Sequence, residues 1–187
     1  GEVGNEQQKA LVNKIKYLFI LGDVVDGVGV YPGQENEQDI PDIYVQYEAL
    51  YELLKEVPKQ MTMIICPGNH DAVRLEEPQP VFDEDFAKSI YRLENAIFVS
   101  NPSMVNIGKK GAFPGFDILI YHGFSFDYYI AHVDSIRNNG GYDRADLVMK
   151  FLLKRRHLAP THGSSVYIPD NEEDPLVIKK VPDFFVT

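Results

Sequence analysis

Three short polar clusters stand out in the chain, each directly after an aliphatic run: Gly22-Asp23-Val24-Val25-Asp26-Gly27, Gly68-Asn69-His70-Asp71 and Tyr121-His122-Gly123. Their residue types suit the handling of a divalent cation and a phosphate. Asp23 offers a hard carboxylate oxygen. Asn69 can ligate through its carbonyl oxygen without adding charge to a site already rich in carboxylates, and His122 brings an imidazole nitrogen. His70 has the chemistry to donate a proton to a leaving group or to stabilise phosphoryl charge, with Asp71 holding its tautomer.

Each cluster also has a plain structural reading. Gly-Asp after a strand is an ordinary turn, Asn-His-Asp makes an Asx-turn, and a lone His at a strand end is commonly a hydrogen-bonded structural residue. Asp26 in particular reads as a loop cap. The weight comes from repetition, because three separate strands end in a metal-competent residue: Asp23, Asn69 and His122. Glycines beside each one allow close approach of the backbone.

Strands and helices must carry these clusters. Ile15–Leu21, Met61–Cys66 and Phe116–Tyr121 are compact apolar runs of strand length, each emptying into one of the clusters. Ile43, Tyr47, Leu50 and Leu54 fall at helical spacing and predict an amphipathic helix that stops near Pro58. Helices are also expected over residues 5–14, 83–94 and 143–156, with strands at 96–100, 166–168 and 176–179. Residues 28–42, with two glycines, two prolines and four acidic residues, read as a surface loop. The alternation of strand, loop and helix followed by a strand-richer second half predicts an α/β fold, with the polar clusters at the carboxyl ends of strands where such sheets build their sites.

Composition narrows the function classes. The 187 residues are 44% hydrophobic, enough for a globular core, and 18 basic against 28 acidic residues leave a net charge of −10. Such a chain does not hold nucleic acid through its overall field, although it can meet phosphates locally through a metal or a partner. One cysteine, Cys66, excludes a disulfide framework and a Cys-rich zinc site. No apolar run reaches the length of a membrane span, so no membrane partner is expected and a cytoplasmic domain is the default.

Taken together, the three clusters resemble the central three of five motifs of the calcineurin-like metallophosphoesterases. Asp26-Gly27-Val28-Gly29-Val30-Tyr31-Pro32-Gly33-Gln34 and Leu153-Lys154-Arg155-Arg156-His157-Leu158-Ala159-Pro160 are further similar to segments of the small subunits of archaeal family D DNA polymerases. The resemblance implies an α/β/β/α sandwich and a two-metal phosphodiesterase. It implies a proofreading 3′→5′ exonuclease acting on a single-stranded or mismatched DNA 3′ end, with a large catalytic subunit as partner. It also implies two divalent cations, manganese being the expected metal and zinc or iron compatible with the same donors. Asp23 would bridge the metals, Asn69 and His122 would bind the second, and His70 would be the catalytic histidine.

Two of the family's motifs are missing. No Asp-x-His precedes Asp23, and no Gly-His-x-His follows; the sequence stops at Phe184-Phe185-Val186-Thr187, a terminal strand. The expectation is therefore of residues 1–187 as one phosphoesterase domain without its first and last metal-binding motifs, an internal fragment that by itself binds metal weakly and hydrolyses little. Two other readings stay open: a non-catalytic scaffold of the polymerase B-subunit kind, and a metallophosphatase or nucleotide phosphodiesterase. His162 reads as a loop residue and His132 as a helix residue with a structural or surface role. The basic run Lys154–His157 suits a helix C-terminus, or a contact with DNA phosphates or the large subunit. Phe124, Phe126, Tyr128 and Tyr129 suit core or interface packing, or stacking on unpaired bases. Cys66 is expected to be a buried, inert thiol.

Overall fold

The computed structural model describes residues 4–187, which divide into two compact units. The first comprises residues up to Val73 together with Pro80–Ser100; the second comprises Arg74–Gln79 and Asn101–Thr187. Both mix sheet and helix, as the alternating pattern predicts.

In the first unit, helix α1 (Glu6–Val12) opens on a reciprocal cap: the Gln8 amide donates to Asn5 Oδ1 and the Asn5 amide to Gln8 Oε1, each at 2.9 Å. Strands β1 (Tyr17–Leu21), β2 (Thr62–Cys66) and β3 (Ala96–Phe98) form a parallel sheet in that order. Central β2 is buried along Met63–Cys66, which is why it reads as an unbroken apolar run. Helix α2 (Ile43–Leu54) starts at Asp42, whose Oδ1 accepts from the Tyr44 and Val45 amides at 2.8 and 3.2 Å. Tyr47 packs with Met63, Ile65, Phe82 and Ile90 into the core of this unit.

The helix expected over residues 83–94 does not form. Phe82, Ala87, Ile90 and Leu93 are buried at spacings of five, three and three. The last of them are accommodated by three-residue turns, with Ile90 N–H donating to the Ala87 carbonyl and Leu93 N–H to that of Ile90, and a 3₁₀ turn at Ile90–Arg92. Asp83 also diverts its carboxylate to the Asp85 amide at 2.8 Å, an Asx-turn that competes with a helical start.

In the second unit, β4 (Ser103–Ile107) runs antiparallel to β5 (Phe116–Ile120), and β6 (Phe184–Val186) lies parallel on the other side of β5. Helices α3 (Phe126–His132), α4 (Asp134–Arg137) and α5 (Ala145–Arg155) complete it. Its core gathers Leu119, Tyr121, Tyr129, Ile136, Val148 and Leu152. The strands expected at 166–168 and 176–179 shrink to isolated bridges, Glu77 with Tyr167 and His157 with Val177. In the first pair Glu77 exchanges both backbone bonds with Val166 and Ile168 at 2.9 Å, but the next residue is Pro78, which has no N–H to continue a ladder. In the second, the partner backbone is the left-handed end of α5 at Arg156, which cannot extend as a strand.

Among the described residues, no helix is long and apolar enough to cross a membrane.

Candidate metal-phosphoesterase loops

The first candidate loop leaves β1 through two consecutive residues of positive φ, Gly22 at 81° and Asp23 at 48°. An aspartate tolerates that left-handed conformation better than most side chains. Asp23 is exposed, and its Oδ1 accepts the His70 backbone amide at 2.9 Å. The loops following β1 and β2 are therefore joined at the two residues singled out for chemistry, 47 positions apart in sequence.

Asp71 makes a second join between them. Its buried carboxylate accepts from Gly68 N–H at 2.7 Å and from Val24 N–H at 3.2 Å. This corrects the expectation that Asp71 holds the His70 tautomer. The partner of His70 Nδ1 is the Asp26 backbone carbonyl at 2.9 Å. A carbonyl only accepts, so Nδ1 carries the hydrogen, and Nε2 is the ring nitrogen whose lone pair or proton remains for other chemistry. The expected structural role of Asp26 thus gains content: its carbonyl fixes the imidazole, while its carboxylate accepts from Gln38 Nε2 at 3.1 Å.

Three residues that sequence reasoning missed hold this arrangement. Gln46, buried on α2, accepts the Gly27 amide through Oε1 at 2.9 Å and returns Nε2–H to the Gly27 and Ile40 carbonyls at 3.0 and 2.7 Å. Gln34, also buried, donates to the Asp26 carbonyl at 2.9 Å and accepts from the Val30 amide. The Tyr47 hydroxyl accepts the Ala72 amide at 3.0 Å, and burial drives that phenol well above its ordinary pKa. The available signal was a glutamine beside Tyr47 on the apolar stripe of a helix. Gly27 is confined for a different reason: with φ at 77°, a Cβ there would lie 2.2 Å from the His70 carbonyl oxygen.

Asn69 and His70 are half-buried and adjacent in the β2 loop. His122, also half-buried, follows β5 and belongs to the second unit. There its backbone amide donates to Asn101 Oδ1 at 2.8 Å, and Asn101 Nδ2 donates to Gln79 Oε1 at 2.7 Å. The neighbouring Tyr121 is fully buried; its hydroxyl donates to Glu77 Oε2 at 3.1 Å and accepts the Ser125 amide at 3.1 Å. Among the described residues, no group of three His, Cys, Asp or Glu side chains is arranged to hold a metal. Asp23 and Asn69 offer a carboxylate and a carboxamide in the first unit and His122 an imidazole in the second, each a donor type that manganese accepts.

Most of the remaining candidates have local partners within the second unit. Arg156, the αL cap of α5, donates from Nε to the Ile178 carbonyl at 2.8 Å and from Nη2 to the Lys179 carbonyl at 2.6 Å. The Arg155 guanidinium lies 3.3 Å from the Phe151 ring centroid, and His157 Nε2 pairs with Asp174 at 2.9 Å. Three of the four residues in the basic run thus have local partners. Tyr129 is core, its hydroxyl donating to Ser164 Oγ at 2.8 Å; Tyr128 stacks on His132 with centroids 4.2 Å apart. Cys66 is wholly buried, and desolvation pushes its thiol up to about 12, so the expected inert thiol stands.

Comparison with known proteins decides the family. The model of the DNA polymerase alpha/epsilon B-subunit family matches residues 9–187. The chain belongs to that family. Among its relatives, the DNA polymerase II small subunit of Pyrococcus abyssi is 46% identical over 183 residues, covering 98% of this chain and 28% of that protein. The DNA polymerase II small subunit of Methanothermobacter thermautotrophicus is 43% identical over 182 residues, 97% of this chain and 36% of its own length. That of Halobacterium salinarum is 49% identical over 173 residues, 92% and 32% respectively. This B-subunit family member therefore spans between 28% and 36% of the length of these curated relatives.

Proposed function

We propose that the chain is the phosphoesterase region of the small subunit of an archaeal replicative polymerase, where it partners a large catalytic subunit and removes nucleotides from a DNA 3′ end. The observation that carries the reading is the direct bond from the His70 amide to the Asp23 carboxylate, which joins two loops bearing the phosphoesterase-like motifs in a chain of the B-subunit family. The kinship of polymerase small subunits supports the partner and the DNA substrate.

In this reading Asp23, Asn69 and His122 hold divalent cations, manganese first among them. Two such cations would supply Lewis-acid activation of water and neutralise charge on the phosphodiester. Asp23 would contribute a carboxylate oxygen, prepositioned by the His70 amide. Asn69 adds a neutral oxygen donor and His122 a nitrogen donor. His70, with Nδ1–H held by the Asp26 carbonyl, uses Nε2 to stabilise phosphoryl charge or to give a proton to the departing oxygen. A net charge of −10 repels DNA over the surface as a whole, so capture by this chain would need local charge neutralisation and the partner subunit.

The test uses the full-length small subunit with its large subunit, manganese and 3′-labelled single-stranded DNA. Asp23→Ala and His122→Ala are expected to lower hydrolysis by at least about 100-fold, and His70→Ala by about 100- to 10,000-fold. Wild-type activity in Asp23→Ala removes the site assignment. An inert wild-type complex that still assembles makes the protein a non-catalytic B-subunit scaffold instead.

A further inference from the structure

The six residues Arg74–Gln79 follow the Asp71 loop in sequence, yet they belong to the second unit together with Asn101–Thr187. Within that unit they reach both sides of His122. On one side Glu77 takes hydrogen bonds from the Tyr121 and Ser165 hydroxyls. On the other, Gln79 and Asn101 exchange backbone bonds at 2.7 and 3.1 Å, and the Gln79 side chain grips the Asn101 amide that receives His122 N–H. Tyr121, Ser125, Glu77, Gln79 and Asn101 are all buried. Ser125 closes the turn by donating its hydroxyl to the Leu158 carbonyl at 2.6 Å, and Gly123 between them has φ at 99°.

A strap made only for packing would be apolar. This one commits two buried polar side chains, Glu77 and Gln79, to the residues flanking a single half-buried histidine, and Glu77 Oε1 is buried with no hydrogen-bond partner among the described residues. Burying polar groups costs stability unless they are satisfied, and networks of this kind serve to define one geometry. Asn101 is the pivot, since its Oδ1 holds the His122 amide while its Nδ2 is held by Gln79.

We propose that the segment Arg74–Gln79 is the positioning strap of His122: Gln79 orients Asn101, Asn101 fixes the His122 backbone, and Glu77 anchors Tyr121 beside it. Asn101, Gln79 and Glu77 are positioning residues that act through His122, and the inference rests on the reading of His122 as a metal ligand. Supporting groups of this kind typically govern metal affinity by about 10- to 100-fold.

The experiment uses the full-length small subunit with its large subunit. It combines calorimetric titration with Mn²⁺ alone and hydrogen exchange of the metal-free protein, for wild type, His122→Ala, Asn101→Leu and Asn101→Asp. Asn101→Leu removes the acceptor; Asn101→Asp keeps an oxygen facing the His122 amide. Asn101→Leu is expected to speed exchange at His122 at least about tenfold and to weaken Mn²⁺ binding by about 10- to 100-fold, while Asn101→Asp, which keeps the acceptor for the His122 amide but loses the bond to Gln79, changes both in the same direction by less. Should Asn101→Leu fail to fold, Gln79→Ala loosens the same pivot and is expected to show the smaller change in the same direction. Unchanged exchange at His122 in a folded Asn101→Leu protein overturns the strap. So does faster exchange with wild-type Mn²⁺ affinity, provided that His122→Ala weakens binding. Wild-type affinity in His122→Ala instead overturns the metal assignment, and the exchange result then decides the strap alone.

Discussion

The two units hold their candidate residues by opposite means. In the first, carboxylates and carboxamides reach directly to backbone amides: Asp71 to Gly68 and Val24, Asp23 to His70, Gln46 to Gly27. In the second, a side-chain relay intervenes, with Gln79 holding Asn101 and Glu77 holding Tyr121. A charge that accepts backbone N–H groups is stabilised where it sits. A buried carboxylate served by hydroxyls on one oxygen, with the other oxygen unpartnered, destabilises the fold when ionised. The difference predicts that the Asp71 charge matters more to the first unit than the Glu77 charge does to the second.

Substitutions at the two buried carboxylates can break that contrast. Asp71→Ala leaves the Gly68 and Val24 amides without their acceptor and is expected to cost about 3 kcal/mol, read as a shift in the denaturant midpoint. Gln46→Ala leaves the Gly27 amide and the Ile40 carbonyl without their partner, while the Gly27 carbonyl keeps Gln38, and about 2 kcal/mol should be lost. A cost below that of an ordinary surface change at either position would show that the first unit does not depend on these bonds.

In the second unit Tyr121→Phe deletes a neutral relay hydroxyl, with an expected loss of about 1 to 1.5 kcal/mol. Glu77→Gln should be nearly neutral at pH 7. Desolvation raises the Glu77 carboxyl above its ordinary 4.5, partly offset by the Ser165 and Tyr121 hydroxyls. A raised acid stabilises the fold fully below its unfolded pKa and loses that contribution as pH rises through the folded value. Glu77→Gln should therefore gain stability relative to wild type as pH climbs from about 4 towards neutrality. A parallel pair of stability–pH curves would show that burial does not raise this carboxyl.

The smallest effect expected is at Cys66. With its thiol pushed up to about 12, it should resist alkylation at pH 8 in the folded protein and react only on unfolding. Rapid labelling under native conditions, followed by mass spectrometry, would show that β2 opens readily.

The candidate loops were legible because each follows a short, strongly apolar run of strand length, Tyr17–Leu21, Thr62–Cys66 and Phe116–Ile120, although the expected burial of the first is only partial. Helix α2 was equally legible from its spacing, while its Asp42 cap emerged only in the structure. Segments 83–94, 166–168 and 176–179 were not: the buried residues of the first sit in short local turns, Val166, Tyr167 and Ile168 are exposed, and the last two segments are held only by single bridges to backbone distant in sequence. No local pattern separates a buried residue in a 3₁₀ turn from one in a helix.

Sequence by itself determined the residue types available for metal and phosphate chemistry, the α/β alternation, and the glycines that let loops turn at strand ends. Tertiary structure alone decided which partner each polar group takes. Asp71 lies next to His70 in the chain yet serves Gly68 and Val24, while a carbonyl from another loop sets the imidazole. It also assigned Arg74–Gln79 to the second unit and gave Arg156 the Ile178 and Lys179 carbonyls as partners. The reason is physical: a buried hydrogen-bonding group must be satisfied by whatever the fold brings within about 3 Å, and chain neighbours, pointing elsewhere, are often not the ones that arrive.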